Sequence, residues 1–473
     1  MQRILIGLLA SLIFLLSIPL TAKQALAIPA FARKYNLPCS VCHVPAFPKL
    51  NDFGNQFRDH GYQLGGDTDL PTNDTLTNGY WPVAFRTTVG YQAASLSKVG
   101  DGTGATSNLT SGSFGFTGLD ILSFGTLARD ISFGIVFTPG LGSAGFGSGS
   151  SLDDSDLESA FLKVDNIVGS DYLVNLKVGK YELDVPFSEK RSPTLNTPFV
   201  MYHYVPGTPY STALGSPVPT GYANPDDFGI GDNQSGLEIA GSKATPGDGF
   251  FRYSLNAISN SNVNADATGG GHRLNYYGHI TQSFGGYGIV SGQRVGLFGA
   301  YGVAPTAPKS ICASANPLAP GSCGAVAGDG AAFYRAGLDV SVTAMNQFNI
   351  FGAYMHAKDS QKMFSSQGIT TAQDADWNGG FLEVDYYPTQ LAKWLFGYRY
   401  DMVQNTQQGD STFSKSFNDV SSHTLVARYN FNITNRVDTS LHLEYNYFTT
   451  KKTNPTGGDQ TGQTTLLAFD FAF

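Results

Sequence analysis

From Trp81 to the end of the chain, short runs of residues alternate large apolar side chains with small or polar ones. Val83, Phe85, Val89 and Tyr91 alternate with Ala84, Arg86, Thr88 and Gly90. Tyr334, Ala336, Leu338, Val340 and Val342 alternate with Arg335, Gly337, Asp339 and Ser341, and Leu441, Leu443, Tyr445 and Tyr447 with His442, Glu444 and Asn446. A period of two places the two sets on opposite faces of a β-strand. Here charge gathers on one face and aliphatic or aromatic bulk on the other, the reverse of a soluble barrel. It suits lipid outside and a wet lumen inside.

About sixteen such runs can be counted, from 81–92 and 113–125 to 435–449 and 464–473. An even number is what a single-chain bacterial barrel requires. The final run, QTTLLAFDFAF, sets Leu467, Phe469, Phe471 and Phe473 against Leu466, Ala468, Asp470 and Ala472, and the chain stops on an aromatic residue. Long links such as SLSKVGDGTGATSNLTSG and GLGSAGFGSGSSLDDSD alternate with short ones such as LARD, TAMN and NITN. That rhythm is the outer-membrane pattern of long external loops and short periplasmic turns. It predicts an all-β fold: a roughly 16-stranded outer-membrane β-barrel over 76–473, with both ends on the periplasmic side. A large soluble β-protein is the competing fold, and it has no reason to keep the alternation of link lengths.

Residues 1–27 read as a secretory signal: Arg3, then the apolar stretch Ile4 to Leu20, then the small-x-small site Ala25-Leu26-Ala27. Without Arg3 and Lys23 the chain keeps 27 basic residues against 37 acidic ones, a net of −10. That balance argues against nucleic acid as a partner and favours cations.

Residues 28–75 hold Cys39-Ser40-Val41-Cys42-His43, the C-x-x-C-H signal for covalent haem attachment. Two intervening residues let both sulfurs reach one porphyrin edge, and the adjoining His supplies an axial nitrogen to the iron. A dithiol redox pair or half a zinc site is the alternative, but the sequence has no second C-x-x-C. His60, the only other His of this segment, is the candidate sixth iron ligand; the lumen-facing His279 and His442 are weaker candidates, and a solvated His60 is the competing reading. Leu50, Phe53 and Phe57 recur at helical spacing with Gly61 as the stop, so a short helix would set Phe53, Phe57 and Tyr62 against the porphyrin. This small helical or irregular segment is too short to bury a haem alone, so it is expected to plug the lumen, whose wall would complete the haem's shell.

Two further features belong to the links. The longest, 182–233, is rich in Pro, Tyr and Gly and is predicted either to fold into the barrel mouth as a constriction or to cap the surface. Cys312 and Cys323 fall in one long external loop and suit a disulfide.

The run FARKYNLPCSVCHVPAFPKLNDFGNQFRDHGY, with Phe-Ala-Arg before C-x-x-C-H and Leu-Asn-x-Phe-Gly-x-x-Phe after it, resembles the amino-terminal segment of the fused outer-membrane monohaem cytochrome–porins of iron-oxidising bacteria. The specific match covers roughly 45 residues; over the rest only architecture and length agree. The resemblance implies one haem c held by Cys39, Cys42 and His43, Fe(II) oxidation outside the cell, and transfer of electrons to a periplasmic c-type cytochrome or other soluble carrier. It does not carry a sixth ligand.

The sequence supports three functions. The first is electron transfer across the outer membrane from Fe(II) or another external reductant, with Asp153, Asp154, Asp156, Asp226, Asp227 and Asp232 available to concentrate cations. The second is a transport porin with a structural or sensory haem. In it Arg86, Arg252, Arg273, Arg294, Arg335, Arg399 and Arg428 would form a ladder opposite Asp339, Glu383, Asp385, Asp401 and Glu444. Those charges could instead pair with one another in a filled lumen. The third is the same conduit run outward to reduce external metal. No Ser-His-Asp set or phosphate loop stands at a useful spacing, so hydrolytic chemistry is not expected.

Overall fold

The structure, a computed structural model, describes residues 30–44, 48–64, 82–100, 106–139, 156–169, 171–206, 229–259, 274–287, 292–304, 309–311, 324–326, 330–365, 369–391, 393–431, 437–451 and 459–472. The signal segment, Arg273, Cys312 and Cys323 lie outside these residues.

Two short helices come first, α1 (Ala30–Tyr35) and α2 (Asp52–Asp59). Strand β1 (Val83–Gly100) then pairs with β2 (Thr106–Ala128) on one side and with β18 (Gln460–Ala472) on the other. Between them run β3 (Ile131–Thr138), β4 (Asp156–Val164), β5 (Asn175–Glu182), β6 (Asn233–Thr245), β7 (Gly249–Ser259), β8 (Asn275–Phe284) and β9 (Gln293–Ala304). The circuit continues through β12 (Ala331–Ala344), β13 (Phe348–Asp359), β14 (Ala375–Tyr386), β15 (Trp394–Gln407), β16 (Val420–Asn430) and β17 (Asp438–Thr450). These sixteen strands form one closed antiparallel barrel. The seam sets Arg86 opposite Ala472 and Val89 opposite Phe469. A separate hairpin, β10 (Lys309–Ile311) with β11 (Gly324–Val326), pairs Ile311 with Gly324, the sequence neighbours of the two loop cysteines.

Each expected run is a strand. The first two are longer than expected: the link SLSKVGDGTGATSNLTSG is mostly strand, with Leu96 opposite Leu109 and Val99 opposite Ser107. Ser, Thr and Gly carry no apolar alternation, so backbone pairing there leaves no mark in the sequence. At the opposite end the turns are tight. Met345 and Asn346 both take positive φ (55° and 53°), the twist that a two-residue hairpin turn demands.

Alternation sorts the side chains as expected. Leu255 (54% exposed), Leu297 (59%), Leu382, Leu425, Leu443, Leu467 and Phe469 point outward on β7, β9, β14, β16, β17 and β18, and Ile280, Leu338, Ile350 and Tyr398 on the strands between. A water-soluble monomer rarely exposes an apolar patch larger than a few hundred Å². A continuous outward belt on a closed barrel is the surface that hydrocarbon covers, and no helix among the described residues is long and apolar enough to cross a membrane. The chain is an outer-membrane β-barrel.

The inner face carries the charge, and the charge is paired. Arg428 reaches Asp470 at 2.6 Å, Arg399 reaches Asp401 at 2.7 Å, and Arg294 and Arg335 reach Asp339 and Asp359 at 2.8 Å. Arg86 and Arg252 also meet carboxylates, Asp470 at 3.3 Å and Asp59 at 2.7 Å. All six described arginines of the expected ladder are thus neutralised in place, in keeping with the filled lumen.

Residues 183–206, between β5 and β6, provide much of the filling. The Glu444 carboxylate accepts from the backbone N–H groups of Leu195 and Asn196, and Arg399 donates to the carbonyls of Thr197 and Pro198. The short helix α3 (Val200–His203) is buried against β14, where the Phe199 and Phe381 rings stack at 4.0 Å. On the opposite wall Asp184 meets Arg252 and His279. The described part of the long link, 183–206, is therefore a constriction inside the barrel and not a surface cap.

Candidate functional site

The site begins with α2. Asn51 is its N-cap, its side-chain oxygen accepting from the Gly54 N–H at 2.9 Å, which satisfies one of the free donors of the first turn. The helix ends at Asp59, and the chain reverses through Gly61 and Tyr62, with φ of 66° and 61°. Phe57 packs between Phe31 (5.0 Å), Tyr35 (5.6 Å) and Tyr62 (6.0 Å).

The C-x-x-C-H loop lies on this helix. The His43 N–H donates to the Cys39 carbonyl at 2.9 Å. The side-chain amide of Asn51 donates to the Val41 carbonyl, and its backbone N–H to that of Cys42, both at 2.9 Å. His43 also forms an antiparallel bridge with Leu50.

Residues 30–64 are tied to the wall at several points. Lys49 reaches Asp385 at 2.5 Å and Asn349 at 2.8 Å. The Tyr287 hydroxyl donates to Asp59 at 2.9 Å, and its N–H donates to Asp52 at 2.9 Å. Lys163 donates to the Asp59 carbonyl, Lys34 to Thr126, and the Asp130 N–H to Gln63. Asp130 and Tyr287 belong to the β2–β3 and β8–β9 turns. The segment therefore sits at the short-turn mouth of the barrel.

Between segment and wall lies a cavity of about 570 Å³, lined by Cys39, Cys42 and His43 together with Phe31, Leu50, Phe53, Phe57, Tyr62, Phe124 and Phe161. Its volume is in the range of small-molecule and cofactor sites. Both cysteines are free. Burial pushes each thiol up to about 11, with the charge of Asp438 adding to the effect at Cys39 and that of Cys39 at Cys42. Burial also draws His43 down to about 4, with the backbone at Pro48 and Lys49 pulling the other way. Two neutral thiols and a neutral imidazole on one apolar cavity are the donor set that haem c takes, and the residues present fit it.

The structure does not bring the expected sixth ligands to this cavity. The His60 ring stacks flat on Tyr172 (3.8 Å between centroids, 3° between planes) and meets Tyr287 edge-on. His60 follows the last helical residue with φ −92° and ψ 25°, so the helical face inferred from Phe53 and Phe57 does not extend to it. His279 is held at both nitrogens, by Asp184 and by Asp339, and His442 bonds to Glu444 at 3.0 Å. Among the described residues lining the cavity, His43 is the only His and there is no Met.

Of the acidic loop residues, Asp153, Asp154, Asp226 and Asp227 lie outside the described residues, Asp156 opens β4, and Asp232 sits in the turn before β6. Lys49 and Asn51 carried no functional signal in the sequence beyond the preference for Asn at a helix start.

Closure, lipid belt and inward constriction define a porin-like outer-membrane barrel. Among solved structures, the chain is similar to OprB of Pseudomonas putida, at 11% identity over 91% of this chain and 99% of that one, with a TM-score of 0.45. It is also similar to an anion-selective porin from Comamonas acidovorans (14% identity, 83% and 99%, 0.48) and to OmpT of Vibrio cholerae (12%, 81% and 99%, 0.41). No protein-family profile and no curated protein sequence matches the chain.

Proposed function

We propose that this barrel is an electron-transfer protein of the outer membrane, carrying one haem c attached at Cys39 and Cys42 and bound by His43. The observation that carries the reading is the shared cavity: both free thiols and the imidazole line one mostly apolar space, with charged groups such as Arg86 and Arg252 on the barrel wall that closes it. When bound, a haem there would supply reversible one-electron chemistry. The chain's own residues do the rest. Phe31, Phe57 and Tyr62 exclude water from one wall of the cavity, and Asn51 fixes the C-x-x-C-H loop on α2. The segment's place at the short-turn mouth supports a periplasmic N-terminus and delivery to a soluble periplasmic carrier. External Fe(II) is the donor that the sequence resemblance favours. Anaerobic stopped-flow mixing of the purified protein with Fe(II) tests it: the haem bands should reduce between acid and neutral pH, and their failure to do so removes the iron-oxidising reading.

A second reading is a transport barrel with a structural haem. Its support is a polar space of about 290 Å³ beside the constriction, lined by Arg86, Thr88, Asp120, Lys190 and Asn196. Single-channel recording separates the two, because a plugged conduit passes little current and an open porin a steady one.

A further inference from the structure

Resting on the haem reading above, we propose that Lys49 and Asp385 are positioning residues, a strut through which the barrel wall sets the orientation of His43 and the redox balance of the iron it would bind.

The strut has two ends. At the His43 end, the Val44 N–H donates to the Lys49 carbonyl at 3.2 Å and Leu50 bridges to His43. At the wall end, the Lys49 ammonium meets Asp385 on β14 at 2.5 Å, Asn349 on β13 at 2.8 Å, and the faces of Phe351 at 4.3 Å and Tyr387 at 6.0 Å. Lys49 is 2% exposed and Asp385 is fully buried. A buried ammonium is kept only where it is paired, and removing one partner leaves an uncompensated charge. The backbone that engages His43 is therefore fixed by groups 300 and 336 residues away in sequence.

Outer partners of a metal-binding His fix its ring and tune its basicity, and their loss costs about 10–100-fold in metal affinity or activity. Here the wall holds still the backbone that pairs with His43 and Val44. Glu383 on the same strand, Arg399 and Asp401 on β15, and the Tyr387 hydroxyl share the neighbourhood, so neutralising either end also changes the field near the site.

The test uses the full-length haem-loaded protein. Lys49→Met and Asp385→Asn are compared with wild type by spectroelectrochemical titration and by EPR of the oxidised haem. Asp359→Asn serves as a control: it is a buried wall carboxylate bonded to Arg335 and Trp377. Lys49→Met and Asp385→Asn are expected to retain covalent haem, to change the reduced-to-oxidised ratio at fixed poise by about tenfold, and to alter the EPR signal. The control should do neither. Lys49→Arg and Asp385→Glu keep the charges and should give smaller shifts in the same direction, which decides the matter if the neutral variants do not assemble. Wild-type potentials and EPR in all variants that assemble would overturn the proposal. Absence of haem from the wild type would instead remove the haem reading and is seen first, in its mass.

Discussion

Gly54 stands so close to Cys42 that a Cβ on it would lie 2.2 Å from the Cys42 carbonyl oxygen. That contact sets α2 directly beneath the C-x-x-C-H loop. Gly54→Ala must push the two apart, and overpacking of this kind costs about 1–3 kcal/mol. The expected outcome is faster proteolysis within residues 30–64 and less haem per barrel, with the heat-modifiable migration of the barrel unchanged.

His60 offers a sharper test of the site's geometry. Its ring lies on Tyr172 and not on the cavity, so His60→Ala should leave the optical spectrum of the oxidised haem unaltered. A high-spin shift confined to this variant would mean that His60 reaches the iron after all.

The lumen ion pairs predict a contrast between single and paired substitutions. Arg428 and Asp470 are both wholly buried. Removing one partner of such a pair costs about 3–5 kcal/mol, whereas replacing both with apolar residues is often neutral. Arg428→Met should therefore lower the denaturant midpoint, and the double variant with Asp470→Leu should recover only part, because Arg86 also bonds Asp470. Urea titration followed by gel mobility reads both.

The constriction carries a pH signature. His203 lies 2.7 Å from Glu189, which also accepts from the Phe199 N–H at 2.6 Å. Burial opposes the charged ring, yet the Glu189 carboxylate and, after it, Asp232 raise His203 to about 9. An unfolded His titrates near 6.5. A raised folded value means the contribution is complete below about 6.5 and is lost as pH rises through about 9. Protease cleavage near α3 should accelerate across that upper range, and His203→Gln should remove the pH step.

The barrel was legible because lipid and lumen demand opposite chemistry from alternate residues: Leu443 and Tyr445 against His442 and Glu444 declare both faces at once. The clustering of Cys39, Cys42 and His43 on one cavity was legible because their spacing is local. What could not be read depended on distant partners. Lys49 looks like a surface lysine until Asp385, on β14, closes over it. His60 shares the helical period of Phe53 but falls one residue past the helix, where Tyr172 decides its direction. The inward course of 183–206 was one of two options until Arg399 and Glu444 supplied its partners.

Every haem-dependent prediction above rests on covalent attachment of one haem at Cys39 and Cys42, within the barrel mouth. The most direct measurement is the intact mass of the protein, purified from outer membranes of cells with haem-attachment machinery, read with its pyridine haemochrome spectrum. The expected result is a chain heavier by one haem, with a two-thioether spectrum that Cys39→Ala with Cys42→Ala abolishes. A chain at its bare mass with both thiols free to alkylate would contradict it.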